Sequence, residues 1–550
     1  MAILNSAVLL MGAVVVALLL SSVLYLSAYE YSHYSTRSSG LDYEYATNWS
    51  FSPLETITFF VPSFFGFGGE AYWGKMPFTD YPLYMGIVVL FLAGLALVIR
   101  RDRYVIFFAI VVVLSLIVSF GKHLPILYDP MFRLLPFFNR FWIPSMIHIL
   151  LDISVVIMAG FGLHFLINLK ESGDVILIQE KYQVIKKYFY VFGTIGILIL
   201  FFVILEKRTI LEWINNSGKQ LNPSAQQIAY QMALKDAVVM SVLSGLSGFF
   251  VLFYVKGKLN SNLLSIALII FLIIDLWLVD FKIIHPKPAI EKQAYFQMTD
   301  IVEFLKMKPQ PFRIFPINID QPEEKSRNWY MYFKLQSLYG YHSAKLKIYQ
   351  EVLEELQLPE SYILKFFKQG FDYWGQMTVQ LRSQEEIPSN LLFGHKAFLN
   401  MLNVKYLISA CVIPDPSCQL IKQGSLSIYE NKQALPHVFF VDQIKTIKSK
   451  EEIFNFIESD QFDPAQTAIL EENPEYYIVP NPNNRVEVVS YDIHNIKLKA
   501  DAKSPTLLVL SEIYYPAGWK AIVDGVETKI FKTNDIFRLV RRVGNNLIGI

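Results

Sequence analysis

Two polar loops in an otherwise apolar N-terminal half contain the residues best suited to chemistry. In the loop 29–82, Glu55 of SPLET and Asp80 of FTDYP are carboxylates that could take a proton from a hydroxyl group. Each also has a structural interpretation. Glu55 follows Pro53 in the first turn of an expected helix, where a carboxylate complements the helix dipole. Asp80 precedes an apolar run, where Asp is a common N-cap, so spacing alone leaves both interpretations open.

The loop 121–145 is suited to binding a phosphate. In GKHLPILYDPMFRLLPFFNRFWIPS, Lys122, His123, Arg133 and Arg140 alternate with Leu, Phe and Trp. Such a segment can bury its aromatic rings in the membrane interface and hold its cations at the level of the lipid headgroups. Arg140 is the strongest single candidate, because a guanidinium group can bind a phosphate with two hydrogen bonds. The alternative is an ordinary interfacial helix whose arginines bind any anionic lipid.

These loops connect apolar stretches that are long enough to cross a bilayer as helices, which takes about 20 residues. The sequence has seven of them, at 7–28, 83–99, 104–120, 146–167, 188–205, 238–255 and 263–281. We interpret the first as a retained helix and not as a signal peptide, because it lacks a basic leading segment and exceeds the usual apolar length. The sequence therefore predicts an integral membrane protein.

The distribution of Lys and Arg predicts the orientation, because these residues near helix ends are retained on the cytoplasmic side. They cluster around 100–103, 170–187 and 256–258. Alternation from these clusters predicts a cytoplasmic N-terminus and an extracytoplasmic location for the remaining loops, at 29–82, 121–145 and 206–237, and for everything after Lys282. The net charge of +1 gives no basis for a nucleic-acid partner.

Ionisable residues inside the predicted spans are few, and each is expected to have a partner because intramembrane charge is costly. Asp152 lies one helical turn after His148, so the two are expected to share a face and a hydrogen bond. Asp275 in IDLWLVD is expected to pack against neighbouring helices.

The sequence predicts a membrane domain over 1–282, followed by two soluble parts in the second half. Residues 283–400 combine helical spacing with a strand in FRIFPIN and predict a mixed α/β segment. Residues 401–550 alternate apolar and polar residues between Asn, Pro, Gly and Asp turns, which predicts a β-sandwich-like domain. The overall fold class is thus a multi-pass α-helical membrane domain of about seven spans, followed by these two parts.

Two short segments of the soluble half could have specific roles. In GYHSAKLKIYQ, Tyr341, His342 and Lys345 could contact an anionic acceptor polymer, or the segment could pack back on the membrane domain. Cys411 and Cys418 could form a disulfide around a Pro-rich loop, or remain unpaired. No cofactor motif is evident, and the sequence leaves a divalent metal requirement open.

Six blocks in sequence order resemble the bacterial YfhO-like membrane protein family over nearly the whole chain. They are ATNWSFSPLETITFFVPSFFG (46–66), LLPFFNRFWIPSM (134–146), GYHSAKLKIYQ (340–350), MLNVKYLIS (401–409), YENKQALPHVFFV (429–441) and LSEIYYPAGWKAIVDG (510–525). That family is similar to the polyprenyl-phosphate-sugar-dependent glycosyltransferases of the GT-C type. The resemblance implies a GT-C-like membrane domain that transfers a sugar from an undecaprenyl-phosphate carrier to a cell-envelope glycopolymer outside the membrane.

The same resemblance implies that this sequence is a fragment or a split gene product. Family members usually have several further spans ahead of the region that begins here, including the loop with the catalytic acid of GT-C enzymes, and closing strands after the point where this sequence stops. A separate upstream membrane segment is therefore an expected partner, beside the lipid-linked donor, membrane lipid and the acceptor. The alternative function is a non-catalytic envelope module, or the acceptor-binding half of a split enzyme. A transporter is a weaker third, because the spans lack paired helices interrupted by Gly or Pro.

Overall fold

The computed structural model of the chain describes most of its residues. They are 2–68, 71–79, 81–219, 221–284, 293–317, 328–338, 340, 342, 344–355, 368–371, 377–380, 396–409, 412–424, 426–473 and 477–549. Asp80, Tyr341 and Cys411 lie outside these ranges, so the predictions for them, including the Cys411–Cys418 disulfide, remain predictions. The chain divides into two compact units. A helical unit comprises Gly40–Pro288 and Phe371–Gln376, and a second unit comprises Met1–Ser39, Ala289–Gly370 and Met377–Ile550.

Each predicted apolar stretch lies largely within one of the helices, which also include short connecting elements. Within the described ranges they are α1 (Ala2–Ser32), α2 (Tyr43–Ala46), α3 (Ile87–Ile99), α4 (Arg103–Ser119), α5 (Tyr128–Leu134), α6 (His148–Glu171), α7 (Val175–Leu205), α8 (Lys207–Asn215), α9 (Pro223–Val255), α10 (Ser261–Ile283), α11 (Asp300–Lys306), α12 (Trp329–Tyr332), α13 (Lys347–Glu355), α14 (Lys396–Met401) and α15 (Lys450–Ile457). Short 3₁₀ helices cover Pro53–Phe59, Gly121–His123, Phe138–Arg140 and Pro144–Ile147. Helices α7 and α9 begin 13 and 15 residues before the predicted stretches 188–205 and 238–255, so the predicted loop 206–237 is mostly helical.

Five helical segments of the described chain are long and apolar enough to cross a membrane. They are Leu4–Ser32, Pro144–Glu171, Val175–Leu205, Pro223–Val255 and Ser261–Ile283. The apolar helices α3 and α4 are shorter, with 13 and 17 residues. At about 1.5 Å per residue, α3 is about 20 Å long, against about 30 Å of bilayer hydrocarbon. The protein is therefore membrane-associated and helical in its first half, while the number of crossings and their orientation remain predictions.

Helix α3 lies at the centre of the helical unit, where most of its apolar side chains are buried. Asp275 of α10 fixes its start, because the carboxylate accepts hydrogen bonds of 2.7 Å from the Ile87 backbone N–H and from the Tyr84 hydroxyl. The carboxylate thus satisfies a free N–H at a helix N-terminus. The prediction that Asp275 packs against neighbouring helices is confirmed.

The expected hydrogen bond between His148 and Asp152 is not formed. His148 Nε2 lies 2.9 Å from Ser119 Oγ of α4, and its Nδ1 has no hydrogen-bond partner. The imidazole also packs edge-on against Phe51, with 4.7 Å between ring centroids. The prediction was wrong: both residues lie on α6 four positions apart, but the His148 ring faces Ser119 of α4 and Phe51 of the preceding loop instead.

The strands all lie in the soluble half. Within the described ranges they are β1 (Arg313–Pro316), β2 (Gln336–Ser337), β3 (Lys368–Phe371), β4 (Met377–Gln380), β5 (Val404–Ser409), β6 (Cys418–Lys422), β7 (Ser427–Asn431), β8 (Val438–Val441), β9 (Gln443–Thr446), β10 (Thr467–Leu470), β11 (Arg485–Asp492), β12 (Asn495–Ile513), β13 (Ala521–Val523), β14 (Val526–Thr528), β15 (Ile530–Thr533) and β16 (Phe537–Gly549).

A five-stranded sheet of the described chain, in the order β2-β1-β5-β7-β6, combines parallel and antiparallel pairs. Strand β1 pairs in parallel with β5, so Phe315 lies opposite Leu407. The sheet therefore draws strands from both sides of position 400, and the expected boundary between an α/β segment and a β-rich domain runs through it. The sequence pattern changes near position 400, but pairing between β1 and β5 joins the segments on either side into one sheet.

A larger sheet contains nine of the described strands, with β12 at its centre between β11, β16 and β8, and β3 and β4 form a separate two-stranded sheet. The pairing register of β12 with β16 shifts between Ala502 and Thr506, and such irregularities bend a strand. Residues from both ends of β12, among them Leu498 and Leu510, share one buried core. The β-rich character of this region agrees with the sequence pattern.

Candidate functional site

Glu55 is held inside the loop that precedes α3. Ser52 and Glu55 begin the helix Pro53–Phe59 with a reciprocal capping box, in which the Glu55 side chain reaches back to the Ser52 N–H. Its carboxylate also accepts hydrogen bonds from the Tyr72 hydroxyl at 3.0 Å and the Lys75 backbone N–H at 2.6 Å. The residue is 1% exposed. The interpretation of Glu55 as a carboxylate in the first turn of a helix is confirmed, and the side chain also joins this helix to the segment 72–75.

Gly74 allows this segment to close over the carboxylate. A Cβ atom at position 74 would lie 2.2 Å from Glu55 Oε1 and 2.3 Å from the Tyr72 hydroxyl oxygen. Both distances are far inside van der Waals contact, so a side chain at this position would displace one of the two hydrogen-bonded groups. Glu55 consequently holds the backbone of the next residue, Lys75, whose side chain is exposed.

Lys122 and His123 follow the end of α4 and are tied to the same loop. The Phe51 N–H donates to the Ser119 carbonyl at 2.9 Å, and the Lys122 N–H donates to Ser50 Oγ at 3.1 Å. Gly121 has a positive φ of 46°, and a Cβ there would lie 2.1 Å from Ser50 Oγ. Two loops that are distant in sequence therefore meet, and the side chains of Lys122 and His123 are exposed beside the junction.

Lys219 adds a contribution from a third loop. Its ammonium group donates to the carbonyl oxygens of Met76 at 3.0 Å and Pro77 at 2.7 Å, and it lies 5.7 Å from the centre of the Tyr72 ring. The loops of Lys122 and of Lys219 thus each contact the loop 29–82, the first at Ser50 and the second at Met76 and Pro77. The group formed by Glu55, Tyr72, Lys75, Lys122, His123 and Lys219 is called the loop cluster below.

The electrostatics of the loop cluster favour an anionic ligand at its surface. Partial burial lowers the pKa of His123, and the positive charges of Lys122 and Lys75 lower it further, so His123 lies within electrostatic range of both lysines. Burial also lowers the pKa of Lys219, although the Glu55 charge opposes this. Like charges held together are stabilised by an anion, and exposed ammonium groups are common phosphate ligands.

Burial raises the pKa of Glu55, and the hydrogen bonds from Lys75, Tyr72 and Ser52 and the charge of Lys219 only partly offset this effect. Burial and the neighbouring Glu55 charge raise the pKa of the Tyr72 hydroxyl strongly, so Tyr72 remains the donor in this pair. A buried carboxylate with a raised pKa beside cations is the combination that marks many acid and base sites.

The two predicted arginines contact other groups. Arg133 lies 3.8 Å from Asp129, four residues earlier on α5, and most of its side chain is exposed. The Arg140 guanidinium lies 4.9 Å from the centre of the Phe137 ring. Of the predicted phosphate ligands, the structure thus brings Lys122 and His123 into the loop cluster. Lys75 and Lys219 were not among the predicted residues, because their convergence depends on how the loops fold around Glu55.

The predicted acceptor segment lies in the other unit and pairs with the residues that follow α1. His342 Nδ1 contacts the backbone of Ala344, at 3.1 Å from its N–H. The Lys345 carbonyl accepts a hydrogen bond of 2.9 Å from the Thr36 N–H. This agrees with the alternative that the segment packs back on the membrane-associated part of the chain, here the end of α1. The proposed contact of Tyr341, His342 and Lys345 with an acceptor stays a prediction.

A second group of buried charges lies where the two large sheets of the soluble half meet. Glu512 of β12 is 2.8 Å from His437 Nε2 in an ion-pair contact, accepts a hydrogen bond of 2.8 Å from the Tyr491 hydroxyl, and lies 3.4 Å from Arg313 of β1. Arg313 also donates to the Leu402 carbonyl and to Ser511 Oγ, both at 2.9 Å. None of these residues was predicted as part of a site. The sequence feature that could have indicated this group is a charged residue inside an apolar strand pattern, Arg313 in FRIFPIN and Glu512 in TLLVLSEIYY.

In the part of the chain that the structure describes, no three His, Cys, Asp or Glu side chains are grouped closely enough to hold a metal ion. Comparisons of the chain with known protein families, with curated proteins and with solved structures find no match.

Proposed function

We propose that this chain is a YfhO-like, GT-C-type membrane glycosyltransferase in which the loop cluster binds the phosphate of an undecaprenyl-phosphate-linked sugar. The observation that supports this proposal is the electrostatic interaction of His123 with Lys122 and with Lys75 of a distant loop, where the Lys75 backbone is bound by the buried carboxylate of Glu55. A lipid-linked phosphate requires cations next to an apolar, membrane-associated helical unit, and this unit has both.

The proposed topology places the loop cluster outside the cell. The chain would lie in a bacterial cytoplasmic membrane with its N-terminus inside, and its large C-terminal domain would be extracytoplasmic, where it would meet an envelope glycopolymer. The positive charges around 100–103, 170–187 and 256–258 support this orientation. A reporter fusion series at loop positions 75, 122 and 219, compared with positions 102 and 258, tests it directly.

The proposed reaction transfers the sugar from phosphate to a hydroxyl group of the acceptor. The acceptor hydroxyl loses its proton to a carboxylate, its oxygen bonds to the anomeric carbon, and the bond from that carbon to the phosphate oxygen breaks. The undecaprenyl phosphate leaves with the electron pair, and cations of the loop cluster stabilise its charge. Glu55 and Asp80 are the candidate bases. Because Glu55 is buried, its participation requires the segment 72–75 to move aside.

A second candidate function is a non-catalytic envelope module or the acceptor-binding half of a split enzyme. It is favoured by the hydrogen bonds that Glu55 accepts from Ser52, Tyr72 and Lys75, which give this carboxylate a complete structural role. In that case the loop cluster would bind an anionic lipid or polymer without reaction, and a separate upstream membrane segment would supply the catalytic acid or base.

The test is sugar transfer from radiolabelled undecaprenyl-phosphate sugar to purified envelope polymer in proteoliposomes, with the chain alone and with an upstream segment added. Activity of the chain alone supports the enzyme and places the base within it. Activity only with the added segment supports the acceptor-binding half. No activity in either case, with donor binding retained, supports the non-catalytic module.

Variants connect that assay to the loop cluster. The double variant Lys75→Ala, Lys122→Ala should weaken donor binding about tenfold or more, since it removes two charged contacts to one phosphate. Lys187→Ala is the matched control, because it removes an exposed lysine from α7 of the same unit. Equal donor binding by the two variants would exclude the loop cluster as the phosphate site.

A further inference from the structure

Helix α1 is fully exposed along its apolar length. Over the span Leu4–Ser32 the apolar window has no buried residue, in contrast to 44% for the span Pro223–Val255. The helix ends in YLSAYEYSHYS, in which Tyr25 and Tyr29 are more than half exposed. Tyr and Trp prefer the headgroup level of a bilayer, so this aromatic end marks the height at which the chain leaves the hydrocarbon.

Within the unit that contains both, residues 344–347 bind the end of α1 and the residues that follow it. The Tyr31 hydroxyl donates to the Ala344 carbonyl at 2.7 Å, the Thr36 N–H donates to the Lys345 carbonyl at 2.9 Å, and the Lys347 N–H donates to the Tyr34 carbonyl at 2.7 Å. Ser35 and Leu346 form a β-bridge. These contacts fix the height of the soluble unit relative to the end of its own helix.

One loop of the larger sheet reaches the same place. The Tyr515 ring lies edge-on to the rings of Tyr34 and Tyr31, with 5.0 Å and 6.1 Å between centroids. Tyr515 belongs to the loop 514–519, YYPAGW, in which Pro516, Ala517 and Gly518 are exposed. Trp519 is half-buried, with its ring 4.1 Å from the Arg538 guanidinium carbon. The loop thus joins the aromatic end of a membrane helix to the core of the soluble sheet.

We propose that the loop 514–519 is a membrane-contacting surface of the soluble domain, and that its partner is the headgroup layer of the bilayer crossed by α1. Tyr31 and Tyr34 follow the last long apolar side chain of α1, Leu26, by five and eight residues, and a helix rises about 1.5 Å per residue. Tyr515 contacts both rings and therefore lies at about headgroup height. Two tyrosines, a proline and a tryptophan in one loop have the amphipathic composition that this layer favours. The proposal does not depend on glycosyltransferase activity.

The test places a fluorescent label in the loop of the full chain in liposomes. Ala517→Cys, in a background with Cys411→Ser and Cys418→Ser, receives an environment-sensitive label, and Met307→Cys receives the same label as a control. Met307 is 82% exposed and follows α11, which packs with the other sheet. Lipids with a nitroxide on the headgroup should quench the label at 517 about threefold more than at 307, and lipids with a nitroxide deep in the acyl chain should quench both weakly.

A second variant separates membrane contact from general crowding at the surface. Tyr34→Ala removes one ring that contacts Tyr515 and keeps the backbone hydrogen bond from Lys347 to residue 34. Quenching at 517 should fall while quenching at 307 stays unchanged. Equal headgroup quenching at 517 and 307 in the original background would overturn the proposal, as would a label at 517 that only a water-soluble quencher reaches.

Discussion

Two buried glutamates, one in each unit, differ in what surrounds their charge. Burial raises the pKa of Glu55, and backbone and hydroxyl donors with the more distant Lys219 only partly offset it. Burial acts on Glu512 in the same direction, but the His437 hydrogen bond, the Arg313 charge and the Tyr491 hydroxyl outweigh it and hold the pKa of Glu512 at about 2. The His437 hydrogen bond and, after it, the Arg313 charge separate Glu512 from Glu55, since burial raises the pKa of both carboxylates.

The difference matches the places that these residues occupy. Glu512 joins strands of two sheets through Arg313 of β1 and remains charged across the physiological range, which suits a structural contact. Glu55 lies in a loop of the helical unit with one cation, Lys219, in range, and its burial raises its pKa. A carboxylate with a raised pKa is better suited to acid or base chemistry than one held at a low pKa.

Glu512→Gln should cause the greatest loss of folding stability among the substitutions considered. A pKa of about 2 against an ordinary value of 4.5 corresponds to about 3 kcal/mol at neutral pH. Thermal unfolding of the full chain in detergent, followed by near-ultraviolet circular dichroism, should show a loss of this size. Glu527→Gln is the control, because its pair with Lys520 is exposed and should contribute under about 1 kcal/mol. Equal losses from both substitutions would contradict a special role for Glu512.

Acid should remove the same stabilisation gradually. The folded pKa of Glu512 is below its unfolded value, so its contribution is complete above about pH 4.5 and is lost as pH falls towards about 2. Burial lowers the pKa of His437, so protonation of the unfolded state below about pH 6.5 adds a loss of the same sign. The raised pKa of Glu55 acts in the opposite sense, since its contribution is present in acid and is lost as pH rises through the folded value.

This pH dependence is measured as unfolding midpoints from pH 7 to pH 2 for the original chain and for Glu512→Gln. The variant should show a flatter curve between about pH 4.5 and pH 2, because it cannot bind the proton that destabilises the folded state. Parallel curves over that interval would mean that another group causes the acid lability.

Gly74→Ala should have a smaller effect, confined to the helical unit. The added methyl group would lie 2.2 Å from Glu55 Oε1, and overpacking of this kind costs about 1 to 3 kcal/mol. Gly193→Ala in α7 is the matched control, since nothing lies within 4 Å of its added Cβ and Ala is favoured over Gly in a helix by about 0.5 to 1 kcal/mol. Thermal stability in the same detergent compares the two. A loss at position 193 as large as that at 74 would point to the detergent and not to the closed loop.

The sequence predicted what depends on local pattern. All seven apolar stretches are helical, and Glu55 begins a helix after Pro53, because these features follow from composition and from residues close in the chain. The contact between Arg133 and Asp129 was also available from their spacing of four residues on one helix. It competes with the phosphate contact that was predicted for Arg133.

The remainder depends on contacts between distant segments. Strand β1 pairs with β5 about 90 residues later, which no local pattern indicates. Glu512, His437 and Arg313 come from separate segments that meet only after the sheets form. In the loop cluster, Lys122 and His123 were predicted from their own loop, but Lys75 and Lys219 are fixed by hydrogen bonds to or near Glu55 across the fold.

Glu55→Gln should cause the least loss of folding stability, and it tests directly whether Glu55 differs from Glu512. A glutamine oxygen can still accept from the Lys75 N–H and the Tyr72 hydroxyl, and the neutral side chain avoids the burial cost of a charge, so the loss should stay under about 1 kcal/mol. Thermal stability and sugar transfer are measured on the same preparation. A loss near that of Glu512→Gln would mean that Glu55 is held charged, and the contrast between the two residues would fail. If stability is kept and sugar transfer is lost while donor binding persists, the proton of the acceptor hydroxyl passes to Glu55. If stability and sugar transfer are both kept, Glu55 has only its structural role, and Asp80 becomes the residue to replace.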